Sequence, residues 1–224
     1  MTHSSILATA ALITGLGVGA VQAADWTGLY LGGHLGTART SGSYDAFTPN
    51  NSFNGFDLQG MNGSAMLGGL QVGYNWDMGS YVVGIEGSFS AMGLSKGSVT
   101  SQDRGTVPQF NREVDNLFLL TPRIGFEVGN ALIYAKAGLA ATRVGATHDQ
   151  DGDMISGGGT ETGWAVGIGA ELPIAERLTA RIDLTHADFG STRQDMPGAG
   201  SNDDIWTTQK LKTQLITVGF NYRF

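Results

Sequence analysis

The sequence predicts an all-β chain, an eight-stranded antiparallel up-and-down transmembrane β-barrel with four long extracellular loops. Three observations carry that reading. The first is the segment 210–224, where Ile216, Val218, Phe220, Tyr222 and Phe224 alternate with Thr217, Gly219, Asn221 and Arg223. A strand turns successive side chains to opposite faces, so this segment has one apolar, aromatic-tipped face and one polar face with a glycine gap. That division suits lipid outside and a lumen inside. The second observation is that the pattern recurs upstream, in segments long enough for the ~9–11 residues that a tilted strand needs to cross a bilayer. The third is a strict alternation of short and long connections between them.

The candidate strands, in order, are 26–38, 64–77, 80–92, 115–127, 131–144, 160–173, 177–189 and 210–224. Leu70, Val72, Tyr74 and Trp76 share one face of the second, with Gln71, Gly73 and Asn75 opposite. The fourth points Phe118, Leu120, Ile124 and Phe126 outward, and the fifth sets Ile133, Ala135 and Leu139 against Tyr134, Lys136 and Gly138. On the sixth, Val166, Ile168 and Leu172 oppose Gly167, Gly169 and Glu171; on the seventh, Ile182 and Leu184 oppose Arg181 and Asp183. Met78-Gly79, Gly129-Asn130 and 173–176 read as tight turns, whereas 40–62, 93–114, 145–159 and 190–209 read as long polar loops. An even strand count puts both ends of the barrel on the periplasmic side. Pro122 falls mid-strand on the lipid side, where it cannot donate a ladder hydrogen bond and predicts a bulge or local twist.

The N-terminal run 6–20 is apolar and is followed by Val21-Gln22-Ala23, small at both positions that a signal peptidase reads. It is shorter than the ~20 residues of a spanning helix. Residues 1–23 are therefore expected to be a signal peptide removed after Sec-dependent export, leaving 24–224 as the barrel, although 1–5 lack the usual Lys or Arg. Composition narrows the rest. There are no cysteines, which removes disulfides and thiolate metal sites. The 35 glycines are about twice the usual ~7 % and fall inside the alternating segments, thinning the lumen face so that larger side chains fill it. A net charge of −7 argues against nucleic acid as a partner.

The same parity places Glu86, Arg123, Glu127, Lys136, Glu171, Arg181, Asp183 and Arg223 in the lumen, four of each sign. Charges in a narrow low-dielectric tube must pair, since an unpaired one costs several kcal/mol. Strand adjacency predicts Glu86 with Arg123 and Lys136, and Glu171 with Arg181. Eight strands enclose only enough space for side chains to fill, which predicts a structural plug ahead of a switchable ionic gate for small solutes. Trp26 and Trp76 fall near the periplasmic edge with Tyr222, and Trp164 and Trp206 near the outer edge, as two interfacial aromatic bands would require.

Several short stretches resemble those of a known family: Asp25-Trp26-Thr27-Gly28-Leu29-Tyr30-Leu31-Gly32-Gly33, Gly69-Leu70-Gln71-Val72-Gly73-Tyr74-Asn75-Trp76, Val83-Gly84-Ile85-Glu86-Gly87, Arg123-Ile124-Gly125-Phe126, and the terminal Val218-Gly219-Phe220-Asn221-Tyr222-Arg223-Phe224. In order and spacing they are similar to the small outer-membrane β-barrels of Gram-negative bacteria, the porin-family or outer-membrane immunogenic proteins, related to the barrel domain of outer membrane protein A. The resemblance covers the strands and none of the loops. It implies residence in the cell outer membrane among lipid and lipopolysaccharide, surface antigenicity, and in some members haem or host-cell binding at the loops. Phe220, Tyr222 and Phe224 resemble the terminal signal read by the barrel-assembly machinery, which with periplasmic chaperones is an implied partner.

The function expected is structural: support of the envelope and presentation of surface loops for adhesion or as an antigen. A small-solute pore, a haem-binding receptor and a lipid A-modifying enzyme are the alternatives. No loop pairs His or Tyr as haem would need. For a hydrolase, the candidate is His186, with Asp188 two residues on and Ser191 beyond, but Ser is missing from the same-face neighbour, so no catalytic residue is assigned. His34 faces the lumen, where a hydrogen-bonded role is expected. The stretch His148-Asp149-Gln150-Asp151-Gly152-Asp153 opens like a calcium loop but has Met154 and Thr160 in place of the later Gly and Glu; it predicts an acidic hairpin, with no metal or cofactor assigned. Phe47, Phe53, Phe56 and Phe110 are expected in the outer loops as small clusters.

Overall fold

The protein's structure, a computed structural model, describes residues 25–47, 63–92, 97–98, 110–150, 153–196 and 205–224. The expected signal peptide, with Phe53 and Phe56, lies outside them. The described strands are β1 (Gly28–Phe47), β2 (Gly63–Asp77), β3 (Val82–Met92), the two-residue β4 (Gly97–Ser98), β5 (Phe110–Val128), β6 (Ala131–Gln150), β7 (Asp153–Ala175), β8 (Leu178–Met196) and β9 (Ile205–Arg223). All pairings are antiparallel; β1 pairs with both β2 and β9, and β3 pairs with β5, so the eight long strands close on themselves. Closure satisfies the row of backbone groups that an open edge would leave bare in lipid.

The register shows how the barrel is sheared. A ladder row starting at Leu31 runs through Val72, Gly87, Leu120, Leu139, Trp164, Asp188 and Lys212 and returns to β1 at Ser41, ten residues further along. Rows therefore climb from the short-turn rim to the long-loop rim as they circle the barrel, the stagger that goes with strands tilted by roughly 35–45°. The first short turn, expected at Met78-Gly79, spans 78–81, and the second lies at Gly129-Asn130 as expected, with left-handed φ of 81° at Gly79 and 67° at Gly129. The third, expected over 173–176, is confined to 176–177, because β7 carries on past a register shift between Pro173 and Ala175.

The long connections are shorter than the polarity of their residues suggests. Thr40–Phe47, Gly145–Gln150 and Arg193–Met196 are ladder, and Phe47 and Phe110 sit at strand ends rather than in loops. Polar sequence reads as loop, but a hairpin arm above the membrane needs no apolar face, and its backbone is satisfied by its neighbour. The calcium-like stretch shows this: His148 pairs with Ile155, Asp149 with Met154 and Gln150 with Asp153, a hairpin rather than a wrapped ligand loop. At Pro122 the β5–β6 ladder is interrupted, pairing lapsing between Leu120–Leu139 and Arg123–Lys136. A proline nitrogen has no hydrogen to donate there.

Face assignment follows the alternation. Leu70, Ile85, Phe118, Phe126, Ile168, Ile182, Val218 and Phe220 are exposed, forming the lipid-facing band. The interior is layered. Trp26, Val82 and Leu132 pack with Tyr134 at the short-turn end. Charged and amide side chains fill the middle. Above them Leu67, Met92, Leu117, Leu119, Phe189 and Leu215 form an apolar storey. The alternation sets the polar face of each strand toward the lumen, and this apolar upper storey departs from it. Its residues come from β2, β3, β5, β8 and β9, and on β5 the unbroken run Leu117-Phe118-Leu119-Leu120 is apolar on both faces.

Candidate functional site

The middle storey is built by residues that the two-residue rhythm of seven strands turns inward. Glu86 on β3 is its hub. Arg181 reaches it with Nη1 to Oε2 at 2.5 Å and Nη2 to Oε1 at 3.1 Å, and the Tyr30 hydroxyl donates to Oε2 at 2.7 Å. Arg123 Nη1 and Lys136 Nζ stand further off, at 3.7 and 3.8 Å. Asp183 accepts from Arg181 Nε at 2.8 Å, from Lys136 Nζ at 2.8 Å and from the Tyr134 hydroxyl at 2.8 Å. Glu171 accepts from the Thr179 hydroxyl at 2.5 Å, from Asn221 Nδ2 at 2.8 Å and from Arg123 Nη1 at 3.3 Å. Three carboxylates face three cations, all buried, so the storey is neutral.

Two tyrosines sandwich the arginine at its centre. The Arg123 guanidinium lies 4.6 Å from the Tyr30 ring centroid and 4.9 Å from that of Tyr134, a cation–π geometry. Each ring needs a glycine across the ladder. Gly73 is the register partner of Tyr30 and Gly169 that of Tyr134, and a Cβ at either would run into the ring opposite. Here the glycine excess has its reason: bare backbone on one strand is the space a ring from the next strand occupies.

A second polar chain joins this storey from the side. Gln71 Nε2 donates to Asn221 Oδ1 at 2.8 Å, and its Oε1 lies 2.7 Å from His34 Nδ1. That carbonyl facing Nδ1 places the ring hydrogen there, and Nε2 takes the Ser90 hydroxyl at 2.8 Å. His34 is thus hydrogen-bonded on both nitrogens, as expected.

Four expectations fail. Glu171 and Arg181 are register partners, yet Glu171 pairs with Arg123, at 3.3 Å. The long guanidinium of Arg181 crosses the lumen to Glu86, while Thr179 and Asn221 occupy Glu171. Glu127 has inward parity but is exposed, because β5 ends one residue later and the position clears the rim. Arg223 is likewise outside the network: its Nη1 donates to the Asp25 carbonyl and its guanidinium lies 5.2 Å from the Trp26 ring. Trp26 itself is fully buried, a lid on the short-turn end of the lumen rather than an interfacial ring. Trp76, Trp164 and Tyr222 do face outward, at 44, 48 and 44 % exposure; the Trp206 side chain lies outside the described residues. The parity rule had no way to tell a ring at the barrel's end from one at its side. Tyr30, Asn75, Thr179 and Asn221, absent from the expected network, all lie on inward parity, which is the signal that would have found them.

At the outer rim His186 faces away from the lumen, its ring 5.8 Å from Trp164, and Gln214 is its register partner. Asp188 accepts from the Gly190 amide at 2.8 Å and lies 3.2 Å from Lys212 Nζ.

A closed eight-stranded barrel with an apolar girdle and a side-chain-filled interior is the architecture of a small outer-membrane protein. Residues 8–224 match the family described as the outer membrane protein beta-barrel domain, and the chain belongs to it. It is 27 % identical over 216 residues to the 31 kDa outer-membrane immunogenic protein of Brucella melitensis, covering 91 % of this chain and 86 % of the relative. It is 28 % identical to the 22 kDa outer membrane protein of Rhizobium leguminosarum bv. viciae, covering 78 % of this chain and 69 % of that one. Among solved structures it is similar in fold to OprG of Pseudomonas aeruginosa, with a TM-score of 0.57 at 14 % identity, covering 90 % of this chain and 98 % of that one. The protein resides in the outer membrane.

Proposed function

We propose that the protein is a non-conducting structural barrel that supports the envelope and carries surface loops as antigenic or adhesive elements. The observation that carries this is the layering of the lumen. An ion crossing it would have to break the neutral Glu86–Arg181–Asp183 network and then pass the apolar storey of Leu117, Leu119, Phe189 and Leu215. An apolar constriction stops ions by shedding water, even where a polar path leads up to it. The aromatics on the outer wall hold depth, and closure keeps every strand edge paired. A role for the loops is supported by the relatives named as immunogenic outer-membrane proteins. Assembly is read from the C-terminal strand, whose Phe220, Tyr222 and Phe224 stand exposed on one face.

Planar-bilayer recording of the purified protein tests the reading. A silent bilayer is the expected result, and steady nanosiemens openings would overturn it. The reading also assigns no catalysis: lipid A recovered from expressing cells should keep its mass, and a mass change that disappears with His186→Ala would make this protein an enzyme.

A further inference from the structure

The outer wall of the barrel carries a feature that the lumen does not explain. A groove of about 950 Å³ crosses the lipid-facing side from β5 to β9. Its bed is made where side chains are small, at Ala135, Ala137 and Pro122; the register sets exposed Leu139 and Trp164 two residues above it and exposed Phe126 and Ile133 two residues below, as ridges. It follows the ladder rows, so it climbs as they do. Ala135 is in register with Ile168, Ile168 with Leu184, and Leu184 with Ile216. With the step from Ile124 on β5 to Ala135, four inter-strand steps of ~4.8 Å make a path of roughly 19 Å.

At the groove's deep end the side chains that face outward, Pro122, Ile124, Ala135 and Ile168, are apolar, while Arg123 and Lys136 in its lining turn theirs into the lumen; its upper end is polar. There the row passes Val166, His186 and Gln214, and the next register partner is Arg39. Lys212 stands two residues along β9, a diagonal neighbour of Arg39, and Lys210 two further; all three are exposed. Diagonal pairs across a ladder are within ~7–8 Å, close enough for two long cations to share one anion. Asp188 is the acidic group described at this spot, and Lys212 pairs with it at 3.2 Å. Arg39 has no carboxylate partner among the described residues. Trp164, on the adjoining ridge, marks headgroup depth.

A cationic cradle at headgroup level, opening onto an apolar groove that descends into the membrane, matches a phosphorylated, acylated glycolipid. We propose that this face is a binding site for the lipid A part of lipopolysaccharide. Arg39 and Lys212 take a phosphate, His186 and Gln214 supply hydrogen bonds beside it, and one acyl chain lies along the Ala137–Ala135 bed. The site rests on the long-loop rim facing outward. It uses none of the lumen, so a conducting barrel would leave it standing.

The test uses the full processed barrel, purified free of lipopolysaccharide, in mixed micelles with either hexa-acyl bisphosphoryl lipid A or phosphatidylglycerol, read by native mass spectrometry. Lipid A should remain bound where phosphatidylglycerol is shed. Arg39→Gln with Lys212→Gln should weaken its retention about thirty-fold, as expected for two cations removed from an anionic surface. Asp188→Asn, which removes the opposing charge, should tighten it, and Ala137→Phe, which fills the bed, should weaken it. Heat-modifiable gel mobility reports that each variant is folded, and Asp188→Asn decides the matter should the double variant fail to fold. Equal retention of both lipids overturns the assignment, as does unchanged lipid A retention in the folded double variant or no tightening in Asp188→Asn. Unaltered binding by Ala137→Phe overturns the acyl-chain half.

Discussion

Replacing Arg181 with Met removes the cation on which the lumen network turns. The guanidinium donates four hydrogen bonds, two to Glu86 at 2.5 and 3.1 Å and two to Asp183 at 2.8 and 3.0 Å. Methionine fills much of the volume but leaves three carboxylates facing Arg123 and Lys136, one buried negative charge in excess. Breaking a buried pair in this way costs about 3–5 kcal/mol. The lower end applies, because Tyr30 still holds Glu86, and Lys136 and Tyr134 still hold Asp183. With a urea dependence of ~1–3 kcal/mol per molar, the unfolding midpoint of Arg181→Met in lipid vesicles should fall by about 1–3 M. Adding Glu86→Gln removes the orphaned charge and should return about 1–2 kcal/mol of the loss, a coupling of the size seen for side chains in direct contact. Tryptophan fluorescence against urea, at equilibrium from both directions, gives the values. A single variant within ~0.5 kcal/mol of the parent, or a double variant that loses the sum of the two singles, would refute the claim that these charges act as one network.

Gly73→Val and Gly169→Val should each destabilise by about 1–3 kcal/mol by overpacking against Tyr30 and Tyr134, and pairing each with Tyr→Leu at its partner should relieve part of that in the same unfolding assay. In vesicles of brominated lipid, Trp76 and Trp164 should be quenched while buried Trp26 is not, as read from variants that retain one tryptophan each; strong quenching at Trp26 would put that ring on the membrane face. Opening the upper storey with Leu119→Ser and Phe189→Ser should leave the barrel silent in a planar bilayer so long as the Glu86–Arg181 pair persists, with conductance appearing only when Arg181→Met is added. Removing Phe224, which is exposed and bonded to β1 through its amide to the Leu29 carbonyl at 3.0 Å, should slow membrane insertion in cells; unchanged assembly kinetics would count against a terminal recognition signal.

Much of the architecture is legible in the bare sequence because lipid imposes a rule on every residue of a spanning strand. Ile182 and Leu184 had to point one way and Arg181 and Asp183 the other, whatever lay beside them, so face, strand count and closure follow from a period of two. The rule weakens where its cause does. Thr40–Phe47 and Gly145–Gln150 are strand above the membrane, where no apolar face is demanded and polar residues read as loop. Leu117 and Leu119 were hidden because their neighbours Phe118 and Leu120 are also apolar, and an unbroken run does not reveal which members face inward.

Alternation along the chain thus decided which residues meet lipid and which are enclosed. Who pairs with whom inside was decided by the folded barrel alone. Glu171 lies directly across from Arg181, yet the arginine spans the lumen to Glu86, since its side chain is long enough to cross and Thr179 and Asn221 already occupy Glu171. The shear did the same on the outer wall, bringing Arg39 and Lys212 together above a groove whose bed begins on β5. Those residues are far apart in the chain, and only the ten-residue climb of the ladder around the barrel makes them neighbours.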